Sequence, residues 1–378
     1  MPIDRANAVR PYKYIVGENM NYNEYRRKSK KVKVGNLYIG GDAPITVQSM
    51  TNVSSSDYDA LYSQMRMLED AGCDIIRMTV PDDDAVKTLH RLKCSDITMP
   101  IVADIHFSHR LAIESAKAGA DKIRINPGNI GDESRVKEVV NACKSAGIPI
   151  RIGVNGGSLE KELLKKYGSP TPEALAESAR THIELLEKYD FNDIIVAVKS
   201  SDVRNMQEAV KLIASQCDYP LHLGVTEAGT EKYGSVKSAA GIGGLLLNGI
   251  GDTLRVSLTD DPMTEVREGR AILHALGLEN KNYINIVSCP TCGRTKIDLI
   301  SLAKELEERV ADIKVNKPLT VAVMGCAVNG PGEAREADVG IAGGVQEALL
   351  FRHGEIIRKI KEDEVISTLI EEIKTLGS

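Results

Sequence analysis

The sequence contains no tryptophan and only 3 phenylalanines among its 378 residues, and its formal net charge is −5. It therefore lacks the basic surface with interleaved aromatic side chains that binds nucleic acid in bulk. It also lacks any apolar run close to the roughly 20 residues that span a bilayer. We expect neither nucleic acid nor a membrane among its partners.

We expect no secretory signal at the start of the sequence, because the first 20 residues carry Asp4 and Glu18 and no apolar segment. It has 7 cysteines, an odd number. Four occur singly and are interpreted as buried apolar side chains: Cys73, Cys94, Cys143 and Cys217. The other three are close together late in the chain, which favours a metal site over disulfides and predicts a cytoplasmic protein.

Short β-branched runs alternate with helix-length amphipathic segments between residues 45 and 260. Eight runs are predicted strands, at residues 45–50, 73–80, 100–107, 120–127, 149–155, 193–200, 220–227 and 252–259. Eight strand and helix units in succession are typical of a closed (β/α)₈ barrel. We predict an α/β fold in which a TIM barrel forms the substrate-binding domain over residues 1–280.

Two segments precede the first barrel strand, and a second domain follows the last. Residues 31–41 predict a hairpin that covers the barrel floor, and the basic run at residues 26–31 is interpreted as a solvated face. Residues 281–378 predict a small α+β domain. Its first helix is predicted to bury Ile297, Ile300, Ala303, Leu306 and Val310.

Side chains at the C-terminal ends of the strands form the active site of such barrels. Five cations occupy these positions here: Arg77, Arg124, Arg151, Lys199 and Arg255. They are accompanied by Asn52, Asp104, His106, Asn126, Asn155, Thr226, Glu227 and Ser257. Guanidinium groups bind phosphates bidentately, so we predict a small phosphorylated substrate. The alternative is that the cations pair with barrel carboxylates, among which Asp104 and Glu227 are the only clear acids at that level.

Two side chains at the mouth have two interpretations each, and one glycine-rich segment has a single one. Glu227 is the candidate proton donor, or else forms a salt bridge to a mouth arginine. His106 holds either a substrate oxygen or a backbone carbonyl. The glycines at residues 241–244 are interpreted as packing glycines, because they follow a helix-like stretch and not a strand.

The late cysteines form a constellation with chemistry of its own. Cys289 and Cys292 lie in a Cys-Pro-Thr-Cys motif, Cys326 follows 34 positions later, and Glu333 is 7 positions beyond it. A structural zinc site normally has four Cys or His ligands, and no fourth lies near Cys326. Three thiolates with one oxygen donor favour an iron–sulfur cluster with one distinct iron. A zinc ribbon with a missing or water ligand and unligated thiols remain as alternatives.

The chain resembles the 4-hydroxy-3-methylbut-2-enyl diphosphate synthase family, in its compact bacterial form, over nearly its full length. The motifs that carry the resemblance are VQSMTN (47–52), ADIHF (103–107), KIRINPGN (122–129), RIGVNGGSL (151–159), GVTEAG (224–229), SCPTCGRT (288–295) and GCAVNGPGEA (325–334). The resemblance implies a two-electron reductive dehydroxylation that opens the ring of a cyclic diphosphate of 2-C-methylerythritol. It also implies one [4Fe–4S] cluster per subunit, held by Cys289, Cys292, Cys326 and Glu333.

Further expectations come from the same resemblance. Flavodoxin or ferredoxin would donate the electrons. Two subunits would form a head-to-tail homodimer in which the cluster of one covers the barrel of the other. The substrate would displace Glu333 from the cluster, and Glu227 would protonate the departing hydroxyl. The competing interpretations are a zinc-dependent or metal-free barrel aldolase or pterin-type transferase, and an iron–sulfur carrier whose barrel is a scaffold.

Overall fold

The computed structural model of the chain describes residues 22–279, 282–311, 313–327 and 334–378. One compact unit ends at Glu279, and a second follows it. Within the described ranges, no helix combines the length and apolarity that a bilayer crossing requires.

The first unit begins with the predicted hairpin, formed by β1 (Val32–Val34) and β2 (Leu37–Ile39). Its turn contains Gly35 in the left-handed region, with φ +59°. The apolar side chains of the hairpin pack against Ile75, Val102 and Ile195, which lie near the starts of three barrel strands. The hairpin therefore covers the barrel floor, as predicted.

Eight parallel strands form a nearly closed barrel above this hairpin. They are β3 (Thr46–Met50), β4 (Ile75–Thr79), β5 (Ile101–Asp104), β6 (Lys122–Ile125), β7 (Ile150–Asn155), β8 (Ile194–Lys199), β9 (His222–Leu223) and β10 (Thr253–Leu254). The order around the barrel is β8-β7-β6-β5-β4-β3-β10-β9, and a parallel bridge between Val196 and Leu221 joins its two ends. The TIM barrel is thus confirmed. The last two strands are shorter than predicted, because the chain leaves the ladder after Leu223 and Leu254 to form the mouth loops.

Helices surround the strands and begin at side-chain caps such as Asp57, Asp82 and Ser108. They are α1 (Tyr22–Tyr25), α2 (Tyr58–Asp70), α3 (Asp83–Lys93), α4 (His109–Lys117), α5 (Pro127–Ile130), α6 (Glu133–Ala146), α7 (Lys161–Tyr167), α8 (Pro172–Glu187), α9 (Val203–Ala214), α10 (Glu231–Ser238), α11 (Gly244–Leu246) and α12 (Pro262–Ala275). Short 3₁₀ turns lie at Gly156–Ser158 and Glu362–Glu364. A π-helical turn, Ala239–Gly243, joins α10 to α11. There, a Cβ on Gly241 would lie 2.8 Å from both Met206 and Val225, so this glycine serves packing, as predicted.

The interpretation of residues 26–31 as a solvated face is wrong for its first two arginines. Arg26 is 7% exposed; its Nη2 donates to Asp252 Oδ1 at 2.8 Å. Arg27 donates to the carbonyl oxygens of Cys217 and Tyr219. The partners are distant in sequence, so a local charge pattern does not reveal them.

Two of the single cysteines also differ from their prediction. Cys73 and Cys143 are buried, but Cys217 is only half-buried and Cys94 is exposed. Cys94 follows the last residue of α3, at the solvated end of that helix.

The described part of the second unit contains one five-stranded sheet and two long helices, which confirms an α+β arrangement. Its strands are β11 (Ile284–Ser288), β12 (Leu319–Met324), β13 (Val339–Gly343), β14 (Glu347–Arg352) and β15 (Glu355–Lys361), in that spatial order. The first three strands are parallel and the last two are added antiparallel. The helices are α13 (Leu299–Val310) and α14 (Val365–Gly377).

The predicted face of α13 is partly wrong. Leu299, Leu306 and Val310 are buried, but Ile300 is 57% exposed. The helix begins at Leu299, and Ile297 reaches the core from the preceding loop. Because Ile297 is not part of the helix, the helical spacing counted from it wrongly assigns Ile300 to the buried face.

Candidate functional site

The barrel strands bring the predicted cations together at one end. Arg77, Arg124, Arg151 and Lys199 are each 9% exposed or less. The ladder register pairs Asp104 with Arg124, and Arg124 with Arg151, so these three side chains leave adjacent strands at one level. These strand ends therefore carry a dense group of buried positive charge. Arg77, Arg124, Arg151, Lys199 and Arg255 are called the mouth cations below.

Asp104 is the acid that two of these cations share. Its Oδ1 accepts a hydrogen bond from Arg124 Nη1 at 3.0 Å, and its Oδ2 lies 3.6 Å from Arg77 Nε. Burial alone would raise the pKa of Asp104, but Arg77, Arg124 and Arg151 outweigh it and lower this pKa to about 2. Asp104 is therefore ionised at neutral pH.

Arg255 has an acid of its own, which the sequence analysis overlooked. Glu265, in α12, accepts from Arg255 Nε at 3.1 Å and from Nη2 at 2.9 Å. It is 3% exposed, and it also accepts from Ser49 Oγ at 3.2 Å. The expectation that Asp104 and Glu227 are the only clear acids at this level is wrong. Glu265 is a third acid, and α12 places it against the end of a strand.

Among the described residues, no acid forms a salt bridge with Arg151 or Lys199. No described residue offers a hydrogen-bond partner to Nε or Nη1 of Arg151. Burial, followed by the neighbouring arginines, holds the pKa values of Arg151 and Lys199 well below their usual ranges. Burial likewise lowers the pKa of Arg77 to about 10. The group therefore has more positive charge than its acids balance, and an anion at this place would be strongly stabilised.

Two glycines make room for these long side chains. A Cβ on Gly153 would lie 2.5 Å from Arg124 Nε, and a Cβ on Gly224 would lie 2.8 Å from Lys199 Nζ. Each contact is shorter than real Cβ atoms make. The missing side chains in β7 and beside β9 thus let Arg124 and Lys199 reach their positions inside the barrel.

The other predicted residues lie around this group at different depths. Asn126 is buried and accepts from the backbone N–H of Gly128, at the start of α5. Asn155 is placed to accept from Arg124 Nη2 at 3.3 Å. Thr226 and Ser257 are half-buried at the strand ends. Asn52 and His106 are exposed, and Asn52 bonds to Gln64, so these two lie at the rim and not among the buried cations.

Glu227 is exposed and has an unusual backbone conformation. Its φ is +52°, which is uncommon for a residue with a side chain. No described cation forms a salt bridge with its carboxylate. Backbone strain of this kind is concentrated at active sites, where surrounding structure holds it in place.

In the second unit, two of the predicted thiols follow adjacent parallel strands. Cys289 comes directly after β11, and Cys326 comes two residues after β12. The backbone N–H of Gly325 donates to Cys289 Sγ at 3.2 Å, so this sulfur lies against the segment that carries Cys326. Cys292 is exposed, and the hydrogen bond from the Arg294 backbone lowers its pKa.

The fourth predicted ligand, Glu333, lies outside the described residues. Among the residues that the structure does describe, no three Cys, His, Asp or Glu side chains converge as metal ligands. None of the cysteines forms a disulfide. The donor set itself, three thiols from neighbouring segments with a backbone N–H on one sulfur, fits a thiophilic centre.

Comparison with known proteins covers both units. Residues 29–270 match the GcpE TIM-barrel domain, and residues 285–375 match the GcpE protein C-terminal domain. The chain is 57% identical to the 4-hydroxy-3-methylbut-2-en-1-yl diphosphate synthase (flavodoxin) of Caldanaerobacter subterraneus over 351 residues, 93% of this chain and 98% of the relative. It is 55% identical to the protein of the same name from Clostridium perfringens, over 93% of this chain and 99% of the relative. Among solved structures, dihydropteroate synthase of Yersinia pestis aligns with a TM-score of 0.47 at 15% identity, over 66% of this chain and 99% of that chain.

Proposed function

The chain belongs to the GcpE family, and we propose that its mouth cations bind the diphosphate of the family's substrate. The protein catalyses the reductive ring opening of 2-C-methyl-D-erythritol 2,4-cyclodiphosphate to 4-hydroxy-3-methylbut-2-en-1-yl diphosphate, in the non-mevalonate isoprenoid pathway. The observation that carries the proposal is the unbalanced charge at the mouth. Glu265 neutralises Arg255, and Asp104 is shared by two arginines, so Arg151 and Lys199 are left for a ligand.

Asp104→Asn tests this charge balance. We expect the free energy of unfolding of the ligand-free protein to fall by about 3 kcal/mol, because Arg77 and Arg124 lose their shared acid. Inorganic pyrophosphate should bind roughly tenfold more tightly, because the carboxylate no longer competes with it. Urea unfolding and calorimetric titration measure the two effects. A loss of pyrophosphate affinity in a folded variant would contradict the proposed balance.

The same carboxylate sets a pH dependence of stability. Because its pKa is lower in the folded protein than its ordinary value, Asp104 stabilises the fold at neutral pH. This contribution is present above pH 3.8 and is lost as the pH falls toward 2. The Asp104→Asn variant should therefore lose less stability than the parent between those pH values.

We propose further that Cys289, Cys292, Cys326 and Glu333 hold one [4Fe–4S] cluster per subunit. The contact between Gly325 N–H and Cys289 Sγ supports this, since backbone N–H groups commonly donate to cluster sulfurs. The assignment of Glu333 as the fourth ligand rests on the sequence motif. When bound, such a cluster supplies the two electrons of the reaction one at a time.

Glu227 is proposed to donate the proton that the departing hydroxyl requires. Glu227→Gln keeps the shape of the side chain but removes the proton, so we expect turnover to fall by about 100-fold or more. Pyrophosphate affinity should stay within about twofold of the parent, since Glu227 is not one of the mouth cations. Steady-state kinetics and calorimetry separate the two effects. Parental turnover would show that another group donates the proton.

Glu227→Gly is the companion variant. The substitution removes the acid and also relieves the strain of the positive φ at this position. The free energy of unfolding of the variant should therefore rise by about 1 kcal/mol. Loss of turnover in a more stable protein would separate a chemical role from a structural one.

Three further proposals concern partners and location. We propose flavodoxin as the electron donor, because the name of the relatives includes it, with ferredoxin as the second candidate. We propose a cytoplasmic location, supported by seven cysteines that are all unpaired. We propose a head-to-tail homodimer in which each active site combines the barrel of one subunit with the cluster of the other.

Mixed dimers test the shared active site. Cys326→Ser and Arg124→Met subunits are unfolded together, mixed in equal amounts, refolded and reconstituted anaerobically. Half of the dimers should then be mixed, and each mixed dimer has one intact site, so activity should return to roughly a quarter of the parent's. Each variant treated alone is the control. Complete inactivity of mixtures shown to contain mixed dimers would contradict the shared site.

A further inference from the structure

Below the mouth cations, the barrel encloses a second layer of polar side chains that the proposed reaction does not use. Lys122 is two residues before Arg124 on β6, so its side chain leaves the same face of the strand about 7 Å lower. His222, on β9, likewise lies two residues before Gly224, which follows the end of that strand. Lys122 is 0% exposed, and His222 and Gln48 are each 1% exposed.

These side chains have no partners among the described residues. Lys122 Nζ, both ring nitrogens of His222 and both amide atoms of Gln48 lie buried without a hydrogen bond to the protein. The apolar hairpin closes the floor beneath them. Burial of an unpaired charge is far more costly than burial of a neutral polar group, so this layer favours the neutral forms of Lys122 and His222.

Positive groups outnumber acids around this layer. Arg77, Arg151 and Lys199 act directly on Lys122 or His222. The other mouth cations are Arg124 and Arg255, and the nearby acids are Asp104, Glu265 and Asp121, the last of which is next to Lys122 in the chain. In the described structure the three acids pair with Arg77 and Arg124, with Arg255 and with Lys93, and none pairs with Lys122. Burial, followed by Arg151, holds the pKa values of both Lys122 and His222 well below their usual ranges.

We propose that Lys122 and His222 are uncharged in the anion-free barrel and that they take up protons from solvent when a diphosphate binds at the mouth. An anion at Arg151 reverses the sign of the potential that disfavours the charged forms. The two residues do not contact the ligand; they are positioning residues that adjust the charge beneath it. The inference rests on the proposed function, because it requires a diphosphate at the mouth.

Proton uptake has a definite sign. Groups that gain a proton on binding make the affinity rise as the pH falls. If about one proton is taken up per chain, pyrophosphate should bind roughly tenfold more weakly at pH 8 than at pH 7. Variants without these two groups should show a flatter pH dependence.

Calorimetric titration with inorganic pyrophosphate in two buffers of different ionisation enthalpy measures the uptake directly. At pH 8 we expect roughly one proton per chain for the parent protein, and less than half of that for the double variant Lys122→Met, His222→Gln. Sulfate, which does not titrate in this range, is the second probe and separates uptake by the protein from uptake by pyrophosphate. Lys211→Met, which removes a surface lysine paired with Glu208, is the matched control and should leave the uptake unchanged.

Each outcome decides one of the two proposals. Failure of the parent to bind pyrophosphate contradicts the proposed anion site itself. Binding without uptake for both probes, or uptake undiminished in the double variant, overturns the present inference and leaves the anion site intact. Lys122→Met removes a partnerless buried amine, so this variant should melt at or above the temperature of the parent. The number of protons that the parent takes up on binding tests the inference even if the double variant does not fold.

Discussion

Replacement of Cys326 by serine is expected to remove iron from the protein and to lower turnover by at least about 1000-fold. Cys326 follows β12 beside the segment whose N–H bonds to Cys289 Sγ, so its loss removes one of three thiolates from the proposed centre. Iron and sulfide content of anaerobically reconstituted protein measures the first effect. A reductive assay measures the second.

The barrel itself should be unaffected by this change. The Cys326→Ser protein is therefore expected to bind inorganic pyrophosphate within about twofold of the parent, which shows that it is folded. Cys94→Ser is the matched control, since Cys94 is an exposed thiol in the first unit. It should keep both iron and turnover. Full iron content in the Cys326→Ser protein would contradict the ligand assignment.

Gly153→Ala is expected to weaken pyrophosphate binding by about 100-fold, with a similar loss of turnover at low substrate concentration. The new methyl group would lie 2.5 Å from Nε and 2.9 Å from Nη2 of Arg124, so the whole guanidinium must move. Arg124 is buried and held by Asp104 at 3.0 Å, so its displacement breaks that ion pair. Calorimetric titration of the variant measures the loss.

The control for this substitution lies four residues further along the chain. A Cβ on Gly157 would have no atom within 4 Å, so Gly157→Ala should bind pyrophosphate like the parent. A thermal melt of each variant distinguishes a displaced arginine from a damaged fold. Parental affinity in a folded Gly153→Ala protein would show that Arg124 does not bind the diphosphate.

The barrel could be predicted from the sequence because its signal is local. Each strand is a short apolar run followed by a helix, and the C-terminal end of each strand must lie at the mouth. Arg77, Arg124, Arg151 and Lys199 could therefore be placed together without knowledge of the register. The observed ladder adds that Arg124 lies between Asp104 and Arg151.

The features that escaped prediction depend on contacts between distant parts of the chain. Arg26 and Asp252 are 226 positions apart, and their pairing requires the closed barrel. Glu265 lies in a helix, so it is absent from the strand ends that were used to predict the site. Asn52 and His106 follow strands in sequence, but the chain carries them outward to the rim.

Lys122 and His222 had a signal that the sequence analysis did not use. Residues two apart on a strand share one face, and Lys122 precedes Arg124 by that interval. Once Arg124 is assigned to the interior, the same alternation assigns Lys122 to the interior as well. The alternation does not reveal that Lys122 lacks a partner among the described residues, because this depends on which side chains the other strands bring to the same level.

Anaerobic turnover of the purified protein should be measured with reduced flavodoxin and 2-C-methyl-D-erythritol 2,4-cyclodiphosphate, with metal and sulfide content determined on the same sample. We expect four iron and four sulfide per chain. We also expect conversion of the cyclic diphosphate to 4-hydroxy-3-methylbut-2-en-1-yl diphosphate, with two electrons consumed per product. One zinc per chain without sulfide, and no consumption of the cyclic diphosphate, would show that the protein is not a reductive iron–sulfur enzyme.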